Sequence, residues 1–438
     1  MFRIWRRSGE LFGTLASIAA IIGAGIAFGA TPINALGEPL APANVVSPKL
    51  AIDGEGPTLI GDTIPVADAI EAVGTVPILR ANPGTDRSEL AELATDPDVF
   101  VNPVGGLEFI DRGLATGVGE SHTSAAVSAI GPALLAPASD TFLLESRPGS
   151  SRTIYLDFNG ATVTGSSWNL GDADPLIAPA FDRDGDPTGF NDYELAFIQE
   201  VWSVVAEDYA PFDVNVTTKD LGVAKYTRDS SGDTEYGINV VITNEIVGNV
   251  CDGFNCAGVA SMNSFSSTFN GWYSPAWSFA FDYSYQYAAM TISHEVGHTL
   301  GLSHDGKGGT AYYNGQGIWA PIMGGGGAAA LYQWSNGDYD GSNQTEDDTS
   351  IIAVNAPRLT DDYADTTESA VLADPSTPIN GVITTRGDVD VFKINASVGS
   401  LHLQASPAAN GPNLDIELKL MDSSGSVVAT ANGVSGSM

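Results

Sequence analysis

His294-Glu295-Val296-Gly297-His298-Thr299-Leu300-Gly301-Leu302-Ser303-His304 decides how the rest of this chain is read. The chain has five histidines, and three of them lie in this stretch. On a helix, His294 and His298 project from one face, so both imidazoles can reach a single metal ion. Glu295 is one residue round from the first ligand and can hold a water beside the metal without ligating it. Gly301 lets the backbone leave the helix through a left-handed turn, and His304 then swings back as a third ligand. Three protein ligands leave one tetrahedral position open, which is the arrangement of a catalytic zinc site and not of a structural one. A bare HExxH also arises in helices whose histidines are merely satisfied. Three histidines, a glutamate and a glycine at fixed offsets make coincidence a poor explanation.

Past His304 comes Ala320-Pro321-Ile322-Met323-Gly324. Together with the histidine run, this resembles the metzincin zinc metallopeptidases, whose HExxHxxGxxH helix is followed by a turn bearing a methionine beneath the metal. Asp305, directly after the third histidine, makes the chain more similar to the reprolysin (adamalysin) branch. Ser151-Arg152-Thr153-Ile154-Tyr155-Leu156-Asp157-Phe158-Asn159-Gly160, with Trp168-Asn169, resembles the opening of bacterial secreted members. The resemblance covers residues 150–357. It implies an α+β catalytic domain with a mixed twisted sheet, long helices, an active-site helix and a Met-turn. It also implies one catalytic Zn²⁺ on His294, His298 and His304, Glu295 as general base, and Met323 as a soft floor under the ligands. In this family a sheet-edge strand above the metal pairs with extended substrate. Gly258, Val259, Ala260 and Ser261 match that strand, since such pairing uses backbone groups. One departure stands out: Gly325 occupies the place where some metzincins carry a tyrosine ligand, so no tyrosine ligand is carried over. The glycines from 324 to 327 lack the Lys-Ser/Thr of a phosphate loop and read as a flexible pocket wall.

The formal charge is −35, from 53 acidic and 18 basic residues. That sign excludes a general nucleic-acid binder. Arg3, Arg6 and Arg7 precede an apolar run from Leu11 to Ala30, which reads as a secretory signal over residues 1–30. The run is also long enough to span the ~30 Å of a bilayer core, so an uncleaved anchor stays open as a second reading. Either way the remainder is exported, with no stable membrane partner unless the segment stays uncleaved. Cys251 and Cys256 are the only cysteines. A close pair around a Gly/Asn turn in an exported chain reads as a structural disulfide stiffening one rim of the cleft.

Residues 31–148 read as a propeptide-like region that shields the cleft, or as a spacer. Two short strands, Asp98–Val101 and Gly106–Asp111, are expected around an Asn102-Pro103 turn. If this region inhibits, Asp96 or Asp98 could take the open zinc position. Residues 149–357 form the expected protease domain. Asn191 caps a long amphipathic helix ended by Pro211, Asp213–Thr217 and Ile238–Thr243 are strands, and the active-site helix begins near Tyr287 with Ile292 and Val296 buried. Trp334-Ser335 is matched to the segment that opens a final helix around Asp347–Val354. Asp182-Arg183-Asp184-Gly185-Asp186 resembles the start of an EF-hand, but Pro187 and Tyr193 break the pattern, leaving Ca²⁺ in a non-EF loop as a minor alternative. Asp338–Gly341 and Glu346–Asp348 read as solvated surface. Residues 358–438 alternate in short segments and resemble the pre-peptidase C-terminal (PPC) domain, an antiparallel β-sandwich, here incomplete.

The function implied is a secreted zinc endopeptidase, made as a zymogen and acting on protein or peptide substrate as a monomer. The rival is an extracellular adhesion or binding protein with a vestigial zinc site. A further rival is a zinc hydrolase acting on bonds other than peptides.

Overall fold

A computed structural model describes residues 2–5, 43–46, 60, 62–112, 114, 133–170, 174–280, 283–326, 329–374, 376–395 and 401–432. The Leu11–Ala30 run and His122 lie outside them. The first strands, β1 (Phe2–Trp5) and β2 (Ala43–Val46), are described by backbone alone. Next come β3 (Ile64–Pro65), α1 (Val66–Val73), α2 (Thr75–Ala81), α3 (Arg87–Leu93), β4 (Val99–Val101) and β5 (Leu107–Ile110). The expected hairpin is there, with Asn102 Oδ1 accepting from the Gly106 N–H at 2.8 Å to close its turn. The three helices stand in a region for which the sequence suggests only the hairpin. Each has seven or eight residues, too short to display helical periodicity.

The middle of the chain supplies β6 (Arg152–Asp157), β7 (Ala161–Thr164), β8 (Leu176–Ala178), α4 (Asp192–Asp208), β9 (Asn215–Thr217), β10 (Tyr236–Thr243), β11 (Gly258–Ser261), β12 (Ala276–Phe279) and α5 (Tyr285–Leu300). Asn191 starts α4 through a reciprocal capping box with Glu194. The fold is α+β, with one large mixed sheet and smaller ones beside it. The large sheet runs β3-β4-β5-β11-β12-β10-β6-β9. Pairs from β12 through β9 are parallel, and pairs from β3 through β12 are antiparallel. β10 is buried at every position, as its continuous apolar run requires of a central strand.

Helices α4 and α5 share one core with this sheet, including Phe197, Val201, Ile292 and Val296. A second core gathers Val163, Trp168, Trp277 and Phe279 around Cys251 and Cys256. Those cysteines form a disulfide with a Cα–Cα distance of 6.0 Å. Beyond α5 lie the pair β13 (Trp319–Pro321) and β14 (Leu331–Gln333), then α6 (Asp348–Asn355). Ser335 does not open α6 but is bound to its start: the Ser335 N–H donates to Asp348 Oδ2 at 2.7 Å. Asp348 is therefore buried, and Glu346 accepts from Ser303, so the Glu346–Asp348 run is not a solvated face.

The C-terminal strands are β15 (Val371–Leu372), β16 (Val391–Lys393), β17 (Glu417–Met421) and β18 (Val427–Asn432). They form a sheet ordered β15-β16-β1-β17-β18, in which β15 and β16 run parallel. This departs from the purely antiparallel sandwich expected there, because the first strand returns alongside the second instead of turning back. Among the described residues no helix is long and apolar enough to cross a membrane.

Candidate metal centre

Helix α5 carries the site, and its ends are fixed by local chemistry. Ser284 caps the start by accepting the Tyr287 N–H. Gly301 ends it with φ of 106° and ψ of 16°, the left-handed exit that glycine alone adopts cheaply. The chain then folds back, and the Leu302 carbonyl accepts from His298 Nδ1 at 2.8 Å. His294 Nδ1 is held in the same way by the Ile322 carbonyl at 2.8 Å. A ring nitrogen facing a carbonyl must carry the proton, so both Nε2 lone pairs point into the site. Met323 lies under the helix: a Cβ added to Gly297 would stand 2.6 Å from its sulfur. His304 completes the group, with ring centroids 5.3 Å from His294 and 4.9 Å from His298. The three histidines expected to converge do so, and all three are buried.

A fourth group joins them. Asp111, the residue after β5, lies among the three imidazoles and is fully buried. Its Oδ1 is 2.7 Å from His304 Nε2. Its Oδ2 is 3.6 Å from His294 Nε2 and 3.5 Å from His298 Nε2. Burial alone would raise the Asp111 carboxyl, but the surrounding imidazoles outweigh it and hold it well below the usual range. Burial would lower His304, yet the carboxylates of Asp96 and Asp111 push it up to about 10. His298 is drawn down to about 4 by burial, against the pull of Asp111.

The expectation that Asp96 or Asp98 would occupy the open position is corrected here. Asp96 sits on the far side of a ligand, its Oδ2 2.7 Å from His304 Nδ1. Asp98 accepts from Arg112 and from the Tyr312 hydroxyl. The reason is strand geometry. Residues 96 and 98 precede β4, one strand removed from β11, whereas Asp111 follows β5, the strand paired directly against β11.

That pairing also changes the reading of Gly258–Ser261. Their strand is not a free edge. Val259, Ala260 and Ser261 pair antiparallel with Ile110, Phe109 and Glu108. The Asp111 N–H donates to the Gly258 carbonyl at 3.1 Å, and the Ala257 N–H donates to the Asp111 carbonyl at 3.0 Å. Phe109 stacks on His298 with centroids 3.7 Å apart and planes 9° from parallel. Arg112 anchors the end of this segment, with its guanidinium 4.5 Å from the Phe254 ring in the disulfide loop.

Glu295 is buried against β11. A Cβ on Gly258 would lie 2.0 Å from Glu295 Oε1, so only glycine leaves room for that carboxylate. Burial and the facing Asp111 hold the Glu295 carboxyl well above its usual range. Tyr312 was not foreseen. Its hydroxyl lies 2.6 Å from Asp98 Oδ2 and 2.8 Å from Asp111 Oδ1, and its ring centroid is 4.3 Å from that of His304. Phe109 and Asp111 lie far from the motif in sequence, and Tyr312 stands in the loop after His304; no spacing rule points to any of them. A cleft lined by Asp96, Asp98, Arg112, His304 and Tyr312 opens beside the centre.

The donor set fits a divalent ion. His294 Nε2, His298 Nε2 and Asp111 Oδ2 are buried with no hydrogen-bond partner, a costly state unless a cation takes all three lone pairs. Ligands ~2.0–2.1 Å from a tetrahedral zinc stand roughly 3.4 Å from one another, close to the spacing found between Asp111 Oδ2 and the two imidazoles. Imidazoles with one carboxylate suit a first-row transition metal, with zinc, iron, copper and nickel all compatible. Each histidine also has the outer hydrogen bond that orients a metal-bound imidazole: Ile322 and Leu302 carbonyls and the Asp96 carboxylate. No protein-family model, curated protein or solved structure matches the chain.

Proposed function

We propose that this chain is a secreted zinc endopeptidase of the metzincin type, held in a closed form by its own residues 96–112. The observation that carries this reading is the convergence of His294, His298 and His304 beside the buried Glu295, with no hydrogen-bond partner at two of the three inward nitrogens. Zinc bound there supplies Lewis acidity that acidifies a water and polarises a peptide carbonyl. Glu295 takes the proton from that water and returns it to the departing amine. Gly258–Ser261 offer backbone groups to an extended substrate, which must first displace β5. The Asp111 carboxylate lies where the water would stand, so the closed chain has no room for turnover. Export fits the disulfide, since such bonds persist in oxidising compartments. The alternation of the C-terminal segments supports a PPC-type module after the protease domain.

The test compares a quenched peptide's cleavage by the chain before and after trimming with a serine protease, which is then inhibited. Cleavage that appears on trimming, stops with chelator and returns with zinc supports the proposal. Tight zinc binding with no cleavage after trimming favours the adhesion reading.

A further inference from the structure

We propose that Asp361, Asp388 and Asp390 bind a hard divalent cation, calcium by the character of the site, where the chain enters the C-terminal sheet. One carboxylate oxygen from each lies within 4.8 Å of the others. Asp388 and Asp390 stand with one residue between them just before β16, and both are buried together with Val389 and Val391. Asp390 is 0% exposed, and neither of its carboxylate oxygens has a hydrogen-bond partner. Asp388 is 4% exposed; its Oδ2 accepts from Thr384, while its Oδ1 has no partner. A buried carboxylate left in this state is costly unless it is neutralised.

Nearby basic side chains are engaged elsewhere. Arg358 donates to the Thr384 carbonyl, Arg386 binds Asp347, and Lys393 donates to the Glu368 carbonyl. Burial, together with Asp362, Asp388, Asp361 and Asp365, pushes the Asp390 carboxyl up to about 8. Oxygen donors without nitrogen or sulfur select a hard cation. An irregular set of three carboxylates completed by water suits calcium, which tolerates six to eight ligands, better than magnesium with its strict octahedron. The ion would tie the segment leaving α6 to the start of β16, where the Val391 N–H already donates to the Ala364 carbonyl at 3.1 Å.

Terbium(III), a luminescent substitute for calcium, tests this on the full chain after chelator treatment. Tyr363 is the expected sensitiser: a Cβ on Gly381 would lie 2.8 Å from Asp390 Oδ2 and 3.2 Å from Tyr363 Cε2. Wild type should show saturable, tyrosine-sensitised emission that calcium displaces, and calcium should raise its unfolding midpoint by several degrees. The Asp388→Asn/Asp390→Asn variant should lose both effects. Asp182→Asn/Asp184→Asn, which alters the other acidic loop, should keep them. Tyr363→Phe should lose most emission and keep the calcium-induced shift. Absence of saturable emission in wild type, or full emission in Asp388→Asn/Asp390→Asn or in Tyr363→Phe, overturns the proposal.

Discussion

At the scale of single residues, the proposed function gives Glu295 and the histidines different tasks, which substitution can separate. Glu295→Gln keeps the shape of the side chain and all three imidazoles, so the trimmed protein should retain zinc yet lose at least roughly a hundredfold in turnover against trimmed wild type, the usual contribution of a general base. His298→Ala removes a ligand and the Leu302 carbonyl's partner together; both metal and activity should go. Metal analysis beside a peptide assay distinguishes the two, and undiminished turnover in Glu295→Gln would remove the carboxylate from its role. Gly258 makes a sharper case. The methyl of Gly258→Ala would stand 2.0 Å from Glu295 Oε1, so the carboxylate must move although no ligand is touched. Zinc content should be unchanged while turnover falls by tenfold or more, and the ratio of the two is the readout.

At the scale of elements, the seam between β5 and β11 depends on the small disulfide loop. Cys256 leads into Ala257, whose N–H holds the Asp111 carbonyl, and Phe254 within the loop receives Arg112. The paired Cys251→Ser/Cys256→Ser variant should lose about 2 kcal/mol by the loop-closure relation for a bridge this short. It should also expose the Asp111 segment to protease sooner than wild type, measured by the rate of cutting. Equal cutting rates would mean that the loop does not support the seam. This seam marks the limit of what the sequence discloses. The histidine run, the Asn191 cap, the apolar β10, the 99–110 hairpin and the disulfide are local patterns, and each is readable in its own window. The match of Ile110, Phe109 and Glu108 to Val259, Ala260 and Ser261 is long-range, and nothing in either strand names the other. Asp111 likewise looks like any polar residue ending a strand. Only the pairing reveals that it is aimed at the histidines, which is why residues 96 and 98 were as plausible beforehand. Helices α1 to α3 were missed because seven or eight residues give about two turns, too few to establish a period.

At the scale of the whole molecule, a formal charge of −35 sits on a fold that buries several carboxyls. Burial pushes Glu108 up to about 7, Asp157 to about 7, Glu207 to about 8 and Asp208 to about 7. All four hold their protons more tightly folded than unfolded. These four groups therefore bind more protons in the folded chain between about pH 4 and 8, and the stability they contribute falls as pH rises through that window. Their contribution is fully present below the unfolded values near 4 and is lost on passing the folded ones. Thermal unfolding at fixed ionic strength should show a midpoint that declines from pH 5 to pH 8.5, with a shallower decline in Glu108→Gln. A midpoint that rises over this range would contradict the assignment of these groups as buried acids. Salt should raise the midpoint at pH 8 by screening the net negative charge, within the limits set by a Debye length of ~10 Å at 0.1 M.

X-ray absorption at the zinc edge of the intact, untrimmed chain addresses the centre itself. One zinc per chain is expected, bound by three imidazole nitrogens and a carboxylate oxygen, with the carboxylate signal altered in Asp111→Ala and the three nitrogens kept. A zinc-free chain, or a bound zinc whose nitrogen count is unchanged in His304→Ala, would contradict it.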